Sequence, residues 1–147
     1  MADTSKALSK NKLIVMRYVN EVQRGHSTET LGEIFSSDFA DHSDMHGGEF
    51  NGGLEQLTKG IANILTAFPD LKVAVELLLE DGDKVVAYKH FTATHLGPWR
   101  GIPATGKPVE WKLASIYGIR DDKIAEYWGV IDDSGLNRAL GLLTLDH

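Results

Sequence analysis

The stretch Leu71–His95, LKVAVELLLEDGDKVVAYKHFTATH, decides the fold. Two runs rich in Val, Leu, Ala, Phe and Thr flank Asp81-Gly82-Asp83. Runs of this kind, joined by a turn containing Asp-Gly, read as a β-hairpin. The pattern then repeats. VEWKLASIYGIR (109–120) and KIAEYWGVID (123–132) are two further strand-like runs, joined by Asp121-Asp122. Asp tolerates the positive φ that both central positions of a tight hairpin turn require, though less readily than Gly. The second half of the chain therefore reads as a meander of long strands.

The bridge between the two hairpins is unusual. THLGPWRGIPATGKPVEW (94–111) holds Gly97, Gly101 and Gly106, Pro98, Pro103 and Pro108, and Trp99 and Trp111. A plain connector would be shorter and more polar. The composition predicts the rim of a cavity. Trp99 would supply apolar cover, Ile102 and Pro103 would stiffen the loop, and Gly101 and Gly106 would permit sharp bends.

Upstream the period changes from two to 3.6. Between Leu8 and Gln23, apolar residues recur at Leu13, Met16, Val19 and Val22, with Ile14, Val15 and Tyr18 widening the stripe, which predicts a helix that stops at Gly25. STETLGEIF (27–35) predicts a second helix with Ser27 or Thr28 as N-cap and Leu31, Ile34 and Phe35 on one face. DFADH (38–42) reads as a short extended link, and GGEFNGG (47–53) as a glycine-rich loop. Residues 54–68 predict a third helix through Leu54, Leu57, Ile61, Ile64, Leu65 and Phe68, closed by Phe68-Pro69-Asp70. DSGLNRALGLL (133–143) predicts a short last helix, with Asp132, Asp133 or Ser134 available as its cap. Helices followed by a meander give an α+β domain, with a curved sheet wrapped around the helices and a concave mouth.

Composition narrows the partners. The chain has 147 residues, 42% hydrophobic and 24% charged, with a net charge of -6 and no cysteine. One domain over 1–147 is expected, with 1–9 flexible. The acidic balance and the absence of a basic block argue against nucleic acid and anionic membrane surfaces. Thiolate chemistry and Cys-based zinc sites are excluded. The N-terminus carries no apolar core of a signal peptide and no run is long enough to span a bilayer, so a cytoplasmic location is expected.

The motif order Phe68-Pro69-Asp70, Thr94-His95-x-Gly97, Gly101-Ile102-Pro103-x-Thr105-Gly106-Lys107 and Lys123-Ile124-x-Glu126-x-Trp128 resembles the SnoaL-like polyketide cyclase family, within the nuclear-transport-factor-2-like (NTF2-like) superfamily. The resemblance covers about residues 10–141 and is strongest in the C-terminal half. It implies a cone: N-terminal helices packed in a curved, mostly antiparallel sheet, an α+β barrel. It also implies cofactor-free acid/base chemistry on a small apolar carbonyl compound, by aldol cyclisation, isomerisation or dehydration. The shared chemistry of such folds is a proton moved by a side chain inside an apolar pocket, where desolvation tunes its pKa and a donor stabilises an enolate. In the family, the position after the strand tryptophan is often acidic. Here it is Gly129, which can transfer no proton and can only leave room. The alternative is therefore a non-catalytic small-molecule-binding protein on the same cone.

Three residues are candidates for proton transfer. His90 lies mid-strand on the same face as Val86, Tyr88 and Thr92, where the family usually points a polar residue into the cone. His42 follows DFAD, where the family commonly has a histidine. Asp132 ends the last strand and is the carboxylate nearest the vacated position, with capping of the last helix as its structural role. A two-residue turn at Asp121-Asp122 pairs Arg120 with Lys123. It then places Trp111, Leu113, Ser115, Tyr117 and Ile119 on one face with Ile124, Glu126, Trp128, Val130 and Asp132. Tyr18, Tyr88, Trp99, Trp111, Trp128 and Gly129 are the candidate pocket residues. His95 reads as structural, holding the rim. His42, Asp44 and His46 are spaced like metal ligands on a helix, but Gly47 and Gly48 argue against a helix there, so no metal is expected. Ala114, Ile116 and Tyr127 would form an apolar outer face that a homodimer could bury.

Overall fold

The computed structural model describes residues 7–43 and 53–142. The GGEFNGG loop up to Gly52, Asp44, His46 and the first six residues lie outside the described residues.

Helix α1 (Lys10–Tyr18) begins where Ser9 Oγ accepts the Lys12 N–H at 3.2 Å. It widens into a five-residue π turn, Val19–Gln23, which turns Gln23 inward. It ends at Gly25, where a Cβ would lie 2.3 Å from the Glu21 carbonyl oxygen, and His26 then turns the chain at a φ of 52°. The second helix, α2 (Leu31–Ile34), is shorter than expected. Its N-cap is Thr30, and Ser27 Oγ instead accepts the Glu29 N–H in the preceding turn. The DFAD segment belongs to a true strand, β1 (Phe35–Asp41), and α3 covers Gly53–Ala67. The meander follows as β2 (Lys72–Asp81), β3 (Lys84–Thr94), β4 (Pro108–Arg120) and β5 (Lys123–Asp132), with α4 (Ser134–Ala139) at the end.

The strands form one mixed sheet in the order β1-β5-β4-β3-β2, with β1 parallel to β5 and the other pairs antiparallel. The sheet curves without closing, so the expected barrel is an open cone. The helices fill its concave side. Val15, Tyr18 and Val22 of the first helix and its π turn meet Val85, Ala87, Tyr117 and Ile124 from the sheet in one buried cluster. A second cluster gathers Phe68, Leu71, Phe91, Trp111 and Leu136 toward the rim.

The β4–β5 turn forms as the sequence predicts. Asp121 and Asp122 adopt φ of 52° and 61°, and Arg120 faces Lys123. One extra residue then changes everything beyond it. Ile119 pairs with Ile124, but Gly118 pairs with Glu126, which leaves Ala125 as a β-bulge. A one-residue slip moves every following side chain to the other face. Tyr127, Gly129 and Ile131 therefore join Tyr117, Ser115 and Leu113 on the concave face, while Trp128, Val130 and Asp132 join Ile116, Ala114 and Lys112 outside. This reverses the faces expected for Trp128, Asp132 and Tyr127.

On β3 the alternation holds but its sense is reversed. Val85, Ala87, Lys89 and Phe91 are buried inward; Val86, Tyr88 and His90 face out.

Candidate functional site

The concave face holds two adjoining hollows beneath α3. One, of about 250 Å³, is lined by Tyr18, Phe35, Phe39, Asp41, Tyr117 and Tyr127, with Leu57, Gly60 and Ile61 of α3 as its roof. The other, of about 620 Å³, opens toward the rim and is lined by Phe91, Trp111, Pro98, Arg100, Ile131 and Leu136. Asn63, Ile64, Trp99 and Leu113 border both. The site is thus an apolar trough with a cluster of hydroxyls and one carboxylate at its inner end.

That inner end is built around Gly129. A Cβ at this position would lie 2.5 Å from the Tyr127 hydroxyl and 2.9 Å from its ring. The phenol of Tyr127 thus lies across the glycine, in the space a side chain at 129 would fill. Its hydroxyl is 2.9 Å from Ser115 Oγ. Burial pushes the phenol above its ordinary pKa, against the Ser115 hydrogen bond, and the charge of Asp41 adds to the rise. Tyr18 is likewise pushed up, mainly by burial and less by Asp41, and Tyr117 rises by burial too. All three phenols are neutral hydrogen-bonding groups at pH 7. Asp41 is held by the backbone N–H of Ser43 at 2.8 Å and by the Ser43 hydroxyl.

Behind Tyr117 lies a group that polarity alone assigns to solvent. Lys89 is fully buried on the concave face. Its Nζ donates to the Tyr117 hydroxyl at 2.7 Å and lies 3.5 Å from Gln23 Oε1. The rings of Tyr117, Tyr18 and Phe91 surround it, with centroids 5.4, 5.6 and 5.6 Å away. Burial brings its pKa down from 10.5 to about 7, and among the described residues no carboxylate opposes the fall.

The rim explains the sequence motifs. Asp70 of Phe-Pro-Asp accepts the Thr94 N–H at 2.8 Å and the Thr94 hydroxyl at 2.7 Å, and these bonds hold its carboxyl below the ordinary range. Leu96 and Gly97 N–H groups both donate to the Ala67 carbonyl at 3.0 Å, capping α3. A Cβ on Gly97 would stand 2.4 Å from the Thr66 oxygen, so only glycine permits that contact. His95 is fully buried; its N–H donates to the Lys107 carbonyl at 2.9 Å and its carbonyl accepts from Gly106 at 2.8 Å. Trp99 and Ile102 exchange backbone hydrogen bonds around Arg100 and Gly101, whose φ values are 50° and 78°. Arg100 then ties the rim to α4 through Asn137 at 2.8 Å and Asp133 at 3.1 Å.

The expected proton-transfer residues do not meet in this trough. His90 faces outward between Glu76 and Glu110, at 3.8 and 3.5 Å. His42 sits on the outer side, 3.1 Å from Glu126 and against the Trp128 ring. Asp132 accepts the N–H of Ser134 at 3.2 Å and its hydroxyl at 2.7 Å, as a turn at the start of α4, which holds its carboxyl low. Of the expected pocket residues, Tyr18, Trp99 and Trp111 line the hollows and Gly129 underlies Tyr127, whereas Tyr88 and Trp128 lie on the convex face. Asp41, Tyr117, Tyr127 and Lys89 were not foreseen as site residues. In the structure Ile124 and Ala125 are both buried, which marks the bulge, but the sequence of β5 holds other adjacent apolar pairs, Tyr127-Trp128 and Val130-Ile131, so it does not single this one out. Among the described residues no group of three His, Asp or Glu side chains is arranged to hold a metal ion, and no helix is long and apolar enough to cross a membrane.

An open α+β cone whose helices roof an internal trough defines an NTF2-like domain. A family model described as SnoaL-like polyketide cyclase matches residues 13–140, and the chain belongs to that family. AclR, a candidate hydroxylase from Streptomyces galilaeus, superposes with a TM-score of 0.83 at 27% identity, over 96% of this chain and 86% of its own. A candidate polyketide cyclase from Bacillus cereus gives 0.76 at 27% identity, over 97% and 89%. A SnoaL-like polyketide cyclase from Agrobacterium tumefaciens, at 22% identity and a TM-score of 0.72 over 91% and 100%, shares the fold. No curated protein matches the sequence.

Proposed function

We propose that the protein performs cofactor-free acid/base chemistry on a small apolar carbonyl compound held beneath α3, with Asp41 as proton acceptor and Tyr127 as hydroxyl donor. The observation that carries this reading is the convergence of Asp41, Tyr18, Tyr117 and Tyr127 on one apolar hollow. In an aldol closure, Asp41 takes a proton from the carbon beside a carbonyl. The Tyr127 hydroxyl stabilises the enolate oxygen, the carbanion carbon bonds to a second carbonyl, and the proton on Asp41 passes to the new alkoxide. Returning the proton to a different carbon gives isomerisation from the same residues. His90, His42 and Asp132 have no part in these steps.

Gly129 favours a second reading, a binder without turnover, because the family's acidic position is empty. One experiment separates the two. In D₂O, 2-tetralone exchanges its α-protons, and the rate is read by ¹H NMR with and without protein. Catalysed exchange that falls by about 10²-fold in Asp41→Asn is the expected result. Binding without exchange above buffer supports the binder, and exchange unchanged in Asp41→Asn refutes the role of that carboxylate.

The reading includes a homodimer. On the convex face Leu79, Val86, Ile116 and Trp128 lie side by side across β2–β5, and Leu77, Tyr88, Ala114 and Val130 form the next row. Two such rows make a continuous apolar surface that a second copy would cover.

A further inference from the structure

Lys89 has no part in the chemistry above, yet it is the most costly residue in the trough to keep. It is an amine buried among aromatic rings, and among the described residues no carboxylate faces it. The groups packed around it are Tyr18 from α1, Gln23 from the π turn, Phe91 from β3 and Tyr117 from β4. Asp41 on β1 and Tyr127 on β5 lie one step further out, around the same hollow. A leucine or methionine would fill the space without the loss of solvation. The charge must therefore be judged by what it does to its nearest partner, Tyr117.

An ammonium has three donors and no acceptor, whereas a tyrosine or serine hydroxyl has one donor and two acceptor sites. While Lys89 is charged, the Tyr117 oxygen can only accept from it at 2.7 Å. The Tyr117 O–H must then point elsewhere. Ser115 lies next to Tyr117 along the same strand face, where its hydroxyl opposes the burial-driven rise of the Tyr117 pKa, and its Oγ is 2.9 Å from the Tyr127 hydroxyl. Hydrogen-bond chains of this kind polarise in one direction when one end is fixed.

We propose that Lys89 is a positioning residue of this site: its ammonium orders the chain Tyr117–Ser115–Tyr127 so that the last hydroxyl proton points into the hollow above Gly129. This rests on the carbonyl-binding reading given above, and it adds the group that sets the direction of the donor. A neutral Lys89 amine offers a lone pair, accepts from Tyr117 and lets the chain run the other way. Tyr127 then turns its proton to Ser115 and presents only an acceptor to the ligand. A carbonyl compound should accordingly bind best below the pH at which Lys89 loses its proton, and more weakly above it.

The test uses 2-tetralone as the ligand and the whole chain as protein. Affinity is measured by calorimetry from pH 6 to pH 8.5 for the wild type, Lys89→Met and Tyr127→Phe. The wild type should weaken about fivefold across that range, the worth of one neutral hydrogen bond. Both variants should show no such slope. A wild type with flat affinity, or a slope that survives in Lys89→Met, overturns the proposal. A second measurement needs neither ligand nor variant. With ¹³C at lysine Cε and tyrosine Cζ, the Lys89 and Tyr127 signals should titrate together near pH 7. If 2-tetralone fails to bind at any pH, the carbonyl reading falls, and this co-titration alone decides the chain: a Tyr127 signal that ignores Lys89 refutes it. Capture of 2-tetralone on Lys89 by cyanoborohydride, seen as a mass increase at that residue, would also overturn a positioning role by showing direct attack of the amine.

Discussion

The buried ammonium makes a prediction about stability that needs no substrate. Lys89 is fully buried, and burial lowers its pKa from 10.5 to about 7. That displacement corresponds to about 5 kcal/mol of preference for the neutral form in the native state. The unfolded chain keeps the proton up to about pH 10.4, while the native chain releases it near 7. Between these values the unfolded state binds more protons, so stability rises with pH. At pH 6 both states are charged and the native state bears nearly the whole cost, about 4–5 kcal/mol; at pH 9 about 2 kcal/mol remains. The wild type should therefore gain about 3 kcal/mol from this group alone between pH 6 and pH 9. Lys89→Met abolishes the titration. Its loss of the Tyr117 hydrogen bond, about 1 kcal/mol, and any misfit of the new side chain are nearly independent of pH. The stability difference between variant and wild type should thus shift by about 3 kcal/mol across that range, with methionine most favoured at low pH. Urea unfolding followed by tryptophan fluorescence at pH 6, 7.5 and 9 measures it. A difference constant to within about 0.5 kcal/mol would refute the reading of Lys89 as an unpaired buried charge.

Two further outcomes are expected. Asp70→Ala should remove both hydrogen bonds to Thr94 and lower stability by about 1 kcal/mol at pH 7; because the native carboxyl is held low, that contribution should fade as pH falls through its native pKa, which urea unfolding at pH 7 and pH 3 compares. Val130→Lys, at a position 75% exposed at the β5 end of a convex apolar row, should turn a species of twice the chain mass into one of the chain mass in sedimentation, and a wild type that is monomeric at micromolar concentration refutes the dimer.

The elements were legible because their periods differ so clearly. Val15, Tyr18 and Val22 mark a helical stripe, Asp81-Gly82-Asp83 marks a hairpin, and Asp121-Asp122 marks another; each takes that place in the fold. The site was much less legible, for two physical reasons. The first is that both faces of this sheet are apolar. Along β3 the inward row is Val85, Ala87, Lys89, Phe91 and the outward row is Val86, Tyr88, His90, so alternation identifies a strand without saying which row is inside. The family resemblance points to the row of Val86, Tyr88 and His90 as the inner one, and the structure turns the other row, with Lys89, inward. The second is the bulge at Ala125. The extra residue is invisible to a register counted from the turn, and every residue after it was assigned to the wrong face. Both errors are one residue in size, and together they displaced His90, Tyr88, Trp128 and Asp132 from the trough.

Gly129 shows how the same bulge shapes the chemistry. Taken as a letter, glycine at the family's acidic position is a deletion of function. Placed in the fold, it is a vacancy that a neighbour occupies. Because Ala125 bulges, Tyr127 points inward, and because residue 129 has no side chain, the Tyr127 phenol can occupy the space beside it. An aspartate at 129 would collide with that ring as it lies, so the phenol must move for a carboxylate to enter. The hollow therefore has a hydroxyl donor where relatives are expected to carry an acid, and a carboxylate, Asp41, beside it on the neighbouring strand β1, in register with Tyr127. A buried lysine at the back of the donor completes a division of labour. In the proposed chemistry one group accepts the proton, a second stabilises the oxygen, and a third fixes the direction of the second. Restoring an acid at 129 should then fail to add to this site, because it must first evict the phenol that the rest of the chain is arranged to hold.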